Sequence, residues 1–268
     1  MGDAATTARL AGAALQAKAA RPGLLAARTV GAGALVVLEA VGIVIALDHF
    51  GDLAGWEAGD VAFLIGLGEA GVGFAMFFGD TLEPPAFSLL VREGRLDPLL
   101  ARPFPVLLSV VTNDVQVREV GRGVVGVGVV VWGAWQAGVG WTPDRVAVTA
   151  LAVVCCTAIV FAVLLLGAAS TLYTVEGSEF VNAFTYGGAA LSANPLDVYS
   201  SALRFVFVWV VPFGLAVYVP ALHVLDRDGA PGVPASLLAI TPVATAAFGL
   251  AAGLAWRRGL RHYASTGS

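Results

Sequence analysis

Six stretches of this chain, near residues 29–47, 61–79, 123–140, 146–170, 205–225 and 235–256, run for about twenty residues with few charges. That is the length an α-helix needs to cross the roughly 30 Å hydrocarbon core of a bilayer. No stretch alternates apolar and polar residues for long enough to suggest a strand instead. Inside lipid every backbone N–H and C=O must be satisfied within the protein, which a lone apolar run achieves as a helix. The expected fold class is therefore all-α: a polytopic membrane protein of six transmembrane helices, forming one domain over residues 1–268. Composition agrees, with hydrophobic residues at 58% and charged ones at 13% of the chain.

The basic residues orient the spans. If residues 1–28 are a cytoplasmic interfacial segment, the inward parts carry Arg9, Lys18, Arg21 and Arg28, then Arg92, Arg95, Arg102, Arg118 and Arg122, then Arg204, and finally Arg257, Arg258 and Arg261. Only Arg145 and Arg227 remain outside, where Asp48, Asp52, Glu57, Asp60, Asp144, Asp226 and Asp228 collect. An excess of arginine and lysine on the inner side predicts cytoplasmic N- and C-termini. Both long connections, 80–122 and 171–204, then face the cytoplasm. Trp56 and Trp141 fall at the outer interface, with Trp256 and Tyr263 at the inner one. The opening "MGDAATTARL" lacks a basic-then-apolar signal pattern, so the first span is expected to be uncleaved. Arginine outnumbers lysine fourteen to one, amid abundant Ala, Gly and Val, as in a GC-rich bacterial gene. The expected location is the bacterial plasma membrane.

In "VREGRLDPLLARPFPVL", residues 91–107, a chain poor in charge gathers Arg92, Glu93, Arg95, Asp97 and Arg102 into a few positions of the larger cytoplasmic loop. The preceding "AFSLLVRE" can form two helical turns with Phe87, Leu90 and Val91 on one face and charges on another. Gly94 reads as a helix stop, and Asp97-Pro98 as an N-cap followed by a proline at the first helical position. Short, rigidly joined surface helices suit the docking of a second protein; arginines that enforce topology and meet lipid phosphates are the other reading.

Catalytic patterns are missing. The only lysine, Lys18 in "QAKAA", cannot belong to a Gly-x-x-x-x-Gly-Lys phosphate loop. His49, His223 and His262 have no zinc-type spacing, and no Gly-x-Ser-x-Gly elbow occurs. The chain is therefore not expected to be an enzyme or to bind metal or cofactor. Adjacent Cys155 and Cys156, in an apolar run, read as a buried structural pair. Glu39 and Glu69 lie about ten residues from the inner ends of the first two spans, ~15 Å deep at 1.5 Å per residue. Ionisable groups at that depth are either lining for a substrate route or hydrogen-bonded ties between helices. Gly66, Gly68, Gly71, Gly73 and "GLAAG" at 249–253 allow helices to approach closely, within this chain or with a second one.

"GW" at 55–56, "GRLDPLLARP" at 94–103, "NPLDVY" at 194–199, "VPFGLAVYVPA" at 211–221 and the terminal "RRGLRHYASTGS", in that order on six spans, resemble the permease subunits of ABC-2-type transporters, specifically the bacterial ABC-2 family transporter proteins. Leu100-Ala101-Arg102-Pro103 stands where that family usually has Leu-Leu-Arg-Pro. The resemblance implies a permease whose ATP and Mg are bound by a separate cytoplasmic ABC ATPase, present in two copies. It also implies a second permease, identical or paralogous, across the pathway. Arg92, Glu93, Gly94, Arg95, Leu96, Asp97 and Arg102 would belong to the element that couples to the ATPase, and the partners would not include nucleic acid. The weakly charged interior suits export of a hydrophobic or amphipathic compound. A proton-coupled secondary transporter using Glu39 or Glu69, and a non-transporting membrane anchor, are the alternatives.

Overall fold

The computed structural model describes residues 22–51, 53–173 and 194–263, and these form helices and turns with a single isolated β-bridge between Leu53 and Trp56. The α-helices are α1 (Pro22–Phe50), α2 (Ala58–Gly79), α3 (Pro84–Arg92), α4 (Asp97–Leu100), α5 (Val106–Asn113), α6 (Arg118–Gln136), α7 (Pro143–Thr171), α8 (Ser201–Phe205), α9 (Phe213–Ala216), α10 (Tyr218–Val224) and α11 (Thr241–His262). Among the described residues, four helical segments are long and apolar enough to cross a membrane: Pro22–Leu47, Ala58–Arg92, Pro143–Thr171 and Ala235–His262. They correspond to four of the six expected spans.

The expected third span, 123–140, is α6, which starts earlier. Arg118, Glu119 and Arg122 in its first turns and its five glycines keep it below that apolar standard. It is nevertheless central. On α2, Gly59, Gly66 and Gly73 recur every seven residues and so share one face. That face lies against the glycine-bearing face of α6, and the two helices run antiparallel: Gly59 adjoins Ala137 and Gly73 adjoins Gly123. A Cβ at Gly126 or Gly133 would stand 2.5 Å from the backbone nitrogen of Ala70 or Phe63. The seam is therefore backbone against backbone. Gly71 turns the other way and meets Cys156 on α7, where both cysteines are buried, free and part of the core. Gly33 meets Val125 and Gly121 meets the Thr29 backbone, which sets α1 against α6; Gly259 abuts Leu172, which sets α11 against α7. At Gly249 and Gly253 of "GLAAG" nothing lies within 4 Å of where a Cβ would stand.

The expected fifth span does not run straight across. Residues Ser201–Val210 and Phe213–Val224 are bent by 71° at Val211-Pro212. Phe205 passes into a π-turn over Val206–Val210, and Pro212 has no N–H with which to continue it. The two arms return to one end of the bundle. Arg204 donates to the Pro231 carbonyl at 3.0 Å, and the Ala230 N–H donates to the Tyr218 hydroxyl at 2.8 Å. At the break Val211 and Pro212 are buried, as are Phe213 to Leu222 after it, while Trp209 and Val210 just before it are about half exposed.

The same contacts correct the expected connection 171–204. Leu172 packs by Gly259 at the end of the bundle that carries α3–α5 and Tyr263, here the loop end. Asp197 sits beside Trp56 at the opposite, far end. Arg204 consequently joins Arg145 and Arg227 at the far end, away from the arginines of the loop. Residues 174–193 between them, like the expected cytoplasmic segment before Pro22, lie outside the described residues.

The seam predicts an asymmetry among glycines. Gly126→Val should destabilise the protein by about 2 kcal/mol or more, as overpacking does, whereas Gly253→Ala should change stability by less than about 0.5 kcal/mol. Thermal melting of both variants in one lipid nanodisc preparation measures the difference.

Candidate coupling surface and transport path

The loop between α2 and α6 folds as its turn residues dictate. Pro84 and Pro85 open α3, whose Phe87, Leu90 and Val91 face is buried, as its sequence pattern predicts. The Phe87 ring lies 5.6 Å from that of Trp256 on α11, centroid to centroid. At the helix end the Gly94 N–H donates to the Val91 carbonyl and the Arg95 N–H to the Leu90 carbonyl, both at 3.1 Å. This paired closure needs a left-handed residue, which Gly94 supplies at φ 67°. Arg92, Glu93 and Arg95 are left exposed, with Arg95 and Glu93 paired at 3.2 Å. Leu96 is fully buried and Arg102 half-buried.

Asp97 departs from expectation. It is the first residue of α4 rather than its N-cap, and its carboxylate accepts a hydrogen bond from the Tyr263 hydroxyl at 3.1 Å. Burial and that carboxylate raise the Tyr263 pKa, so the phenol keeps its proton and remains the donor. The loop thus has a charged rim (Arg92, Glu93, Arg95) and a fastened underside (Leu96, Asp97); α3 packs against α7, and Phe87 and Asp97 reach Trp256 and Tyr263 at the end of α11. Further ties hold its other end: Arg118 pairs with Asp80 at 3.1 Å and with Glu119 at 2.8 Å.

Glu69 and Glu39 have different surroundings. Both oxygens of Glu69 are engaged by Arg122, Nε to Oε2 at 2.6 Å and Nη2 to Oε1 at 2.8 Å. Glu69 is 7% exposed. This bidentate arrangement spans the glycine seam, since the Gly126 position abuts Ala70 and Glu69. Sequence reasoning puts Arg122 among the cytoplasmic charges and misses it as the partner of Glu69, although its position at the start of an apolar run is a usable signal. Glu39, on α1, is within electrostatic reach of both but is exposed on the single chain.

A second polar cluster, at the far end, has no counterpart among the expected sites. Asp197 accepts from the Trp56 indole N–H at 2.9 Å and from the Tyr218 hydroxyl at 2.7 Å. Arg227 donates to the Gly55 carbonyl at 2.7 Å, pairs with Asp60, and lies 5.0 Å over the Trp56 ring. Asp60 also accepts from the Glu57 N–H, capping the start of α2. The segments "GW", "NPLDVY" and "VPFGLAVYVPA", far apart in sequence, thereby meet in one site that clamps the bent α8–α10 hairpin onto α2. At its edges Arg145 pairs with Asp226 and His223 with Asp144.

An apolar groove of about 1000 Å³ lies between α2, α5, α7 and α11, lined by Phe74, Phe78, Leu108, Phe161 and the open Gly249 and Gly253, among others. Among the described residues no group of three or more His, Cys, Asp or Glu is arranged to hold a metal ion.

An all-helical bundle with several membrane-length apolar helices and a fastened, charged loop at one end has the form of a transporter's membrane subunit. The family ABC-2 family transporter protein matches residues 34–267, and the chain belongs to it. It is thus a multi-pass membrane permease of an ABC transporter, a class that works with an ABC ATPase. No curated protein and no solved structure matches the chain.

Because each charge of the Glu69–Arg122 pair neutralises the other, losing one partner strands the survivor. Glu69→Gln and Arg122→Gln should each destabilise by about 3 kcal/mol, the cost of breaking a buried pair. The double variant should fall well short of their sum. Melting temperatures of the three variants give the coupling; an unchanged Glu69→Gln melting temperature would mean the pair holds nothing.

Proposed function

We propose that this permease exports a hydrophobic or amphipathic compound, driven by ATP hydrolysed on a separate ATPase that grips the loop end. On this reading α1, α2, α6, α7 and α11 supply five crossings. Both termini face the cytoplasm of a bacterial cell. Arg28, Arg92, Arg95, Arg118, Arg122, Arg257, Arg258 and Arg261 lie toward the loop end, and Glu57, Asp60, Asp144, Asp197 and Asp226 toward the far end, which supports that orientation. The chain itself does no chemistry: ATP and Mg belong to two ATPase subunits, and two permeases, identical or paralogous, enclose the path.

The observation that carries the reading is the build of the loop. Its underside is bonded to α11 through Asp97–Tyr263 and Phe87–Trp256, while Arg92, Glu93 and Arg95 point away. A surface that only enforced topology would need the arginines and not the rigid attachment. A proton carrier is less well supported, because Glu69 commits its charge to Arg122. The non-transporting anchor leaves the attachment without a purpose.

The test is a charge reversal on the rim that spares the underside. In Arg92→Glu/Arg95→Glu, membrane insertion and melting temperature should match wild type, because exposed side chains contribute little to stability. Co-purification of the cognate ATPase, and substrate-stimulated hydrolysis, should fall about tenfold, the equivalent of roughly 1.4 kcal/mol. Native mass spectrometry of the wild-type complex counts the subunits. Undiminished binding and stimulation in the variant would sink the docking assignment.

A further inference from the structure

Among the described residues of the membrane-length helices, Glu39 is a carboxylate without a polar partner. The other acidic groups whose surroundings bear on the bundle interior are engaged: Glu69 by Arg122, Asp197 by Trp56 and Tyr218, Asp60 by Arg227, Asp80 and Glu119 by Arg118. Glu39 has no hydrogen-bond or ion-pair partner among the described residues, and it stands mid-way along α1. Among those residues Arg122 is the cation whose charge reaches it, and that guanidinium already serves both oxygens of Glu69. With Glu39 ionised the trio would carry a net charge of −1, since Arg122 balances one carboxylate only.

The surface around Glu39 is otherwise apolar and open. Leu35 and Leu38 are 67% and 68% exposed, and Ile45, further along the helix, is 62% exposed. At Gly42, three residues after Glu39 and so beside it on the helix, nothing lies within 4 Å of where a Cβ would stand. A lone carboxylate facing lipid at that depth is strongly disfavoured. Protonation or a covering group of opposite charge relieves that cost, and the second calls for a molecule that is apolar over most of its area and carries one positive charge. In a low-dielectric setting the attraction between two such opposite charges is far stronger than in water.

We infer that the Glu39 face of α1 lines the transport path and that the exported compound is a hydrophobic cation, held by Glu39 against Leu35, Leu38 and the open Gly42 position. The Glu69–Arg122 pair stands behind the site and keeps Arg122 from neutralising Glu39. This inference rests on the permease reading and adds the substrate's charge to it.

The permease–ATPase complex in nanodiscs of neutral lipid tests it. Tetraphenylphosphonium is the cationic probe and triphenylphosphine oxide its uncharged counterpart, each followed by equilibrium binding and by stimulation of ATP hydrolysis. Wild type should bind the cation in preference. Glu39→Gln should lose about tenfold in affinity for the cation, ~1.4 kcal/mol, with no change for the neutral compound, and Glu39→Asp should restore most of the loss. Equal binding of both probes by wild type, or a Glu39→Gln variant that binds the cation as wild type does, overturns the inference. So does a Glu39→Gln variant that no longer assembles with its second permease, since a partner's cation would then be what covers Glu39. Failure of the reading beneath is separate: there, no ATPase accompanies the purified wild-type permease and both ideas fall.

Discussion

A carboxylate and a guanidinium survive inside an apolar bundle only if each satisfies the other. Glu69 and Arg122 can do so because α2 and α6 touch backbone to backbone. With ordinary side chains at Gly66, Gly73, Gly126 and Gly133 the helices would stand several ångströms further apart, and the two-point contact could not close. The glycines and the ion pair therefore depend on each other. Packing brings the charges together, and the charges fix the register of two smooth helices that could otherwise slide. In a membrane, where helices gain little from leaving lipid for one another, such register-fixing contacts matter more than in water.

From this seam the rest of the structure divides into what is fastened and what is not. α7 closes on α2 through the small residue Gly71 and the buried Cys156, and α11 follows through Gly259 against Leu172. The loop end is tied to α11, and the far end to the start of α2 through Trp56, Asp60 and Arg227. α1 has contacts with α2 and α6 but leaves most of its surface bare; Val30, Leu35, Leu38 and Ile45 are all more than half exposed. A helix so placed suits an outer wall that another subunit or a passing compound can meet.

Much of this is legible in the sequence, and the reasons are local. Apolar length marks α1, α2, α7 and α11, because the bilayer's thickness sets a length and the chain matches it. Turn chemistry marks the loop: a glycine that must adopt positive φ ends α3, prolines open α3 and α4, and a short apolar repeat names Phe87, Leu90 and Val91 as the buried face. The bent hairpin is not legible, for a complementary reason. Residues 205–225 have the length of a span, and Pro212 and Pro220 within them fit a kinked crossing as well as a returning one. What decides between these is a set of contacts to residues remote in the chain, Asp197 to Trp56 and Arg227 to Asp60. Arg204 reads as an inner charge only while residues 205–225 read as a straight span, so the bend moves it to the far end. Arg122 is hidden differently: its charge is plain in the sequence, but its partner lies 53 residues away and only packing reveals it.

The two polar ends impose different conditions on movement. At the loop end two contacts join the loop to α11: Asp97 of α4 accepts from the Tyr263 hydroxyl, and Phe87 of α3 meets Trp256. At the far end the hairpin is held by hydrogen bonds that converge on one carboxylate, Asp197, with Arg227 pinning Trp56 from above. On the export reading, a compound leaving at that end would meet a structure closed by directional bonds, which weaken steeply with distance and angle. An α11 displaced by the ATPase would reach this clamp through the Thr241 hydroxyl, which donates to the Leu215 carbonyl of α9 at 2.8 Å. α11 is thus bonded at its C-terminal end to the loop and at its first turn to the hairpin, so on the export reading a movement of that one helix would connect the ATPase side to the far end.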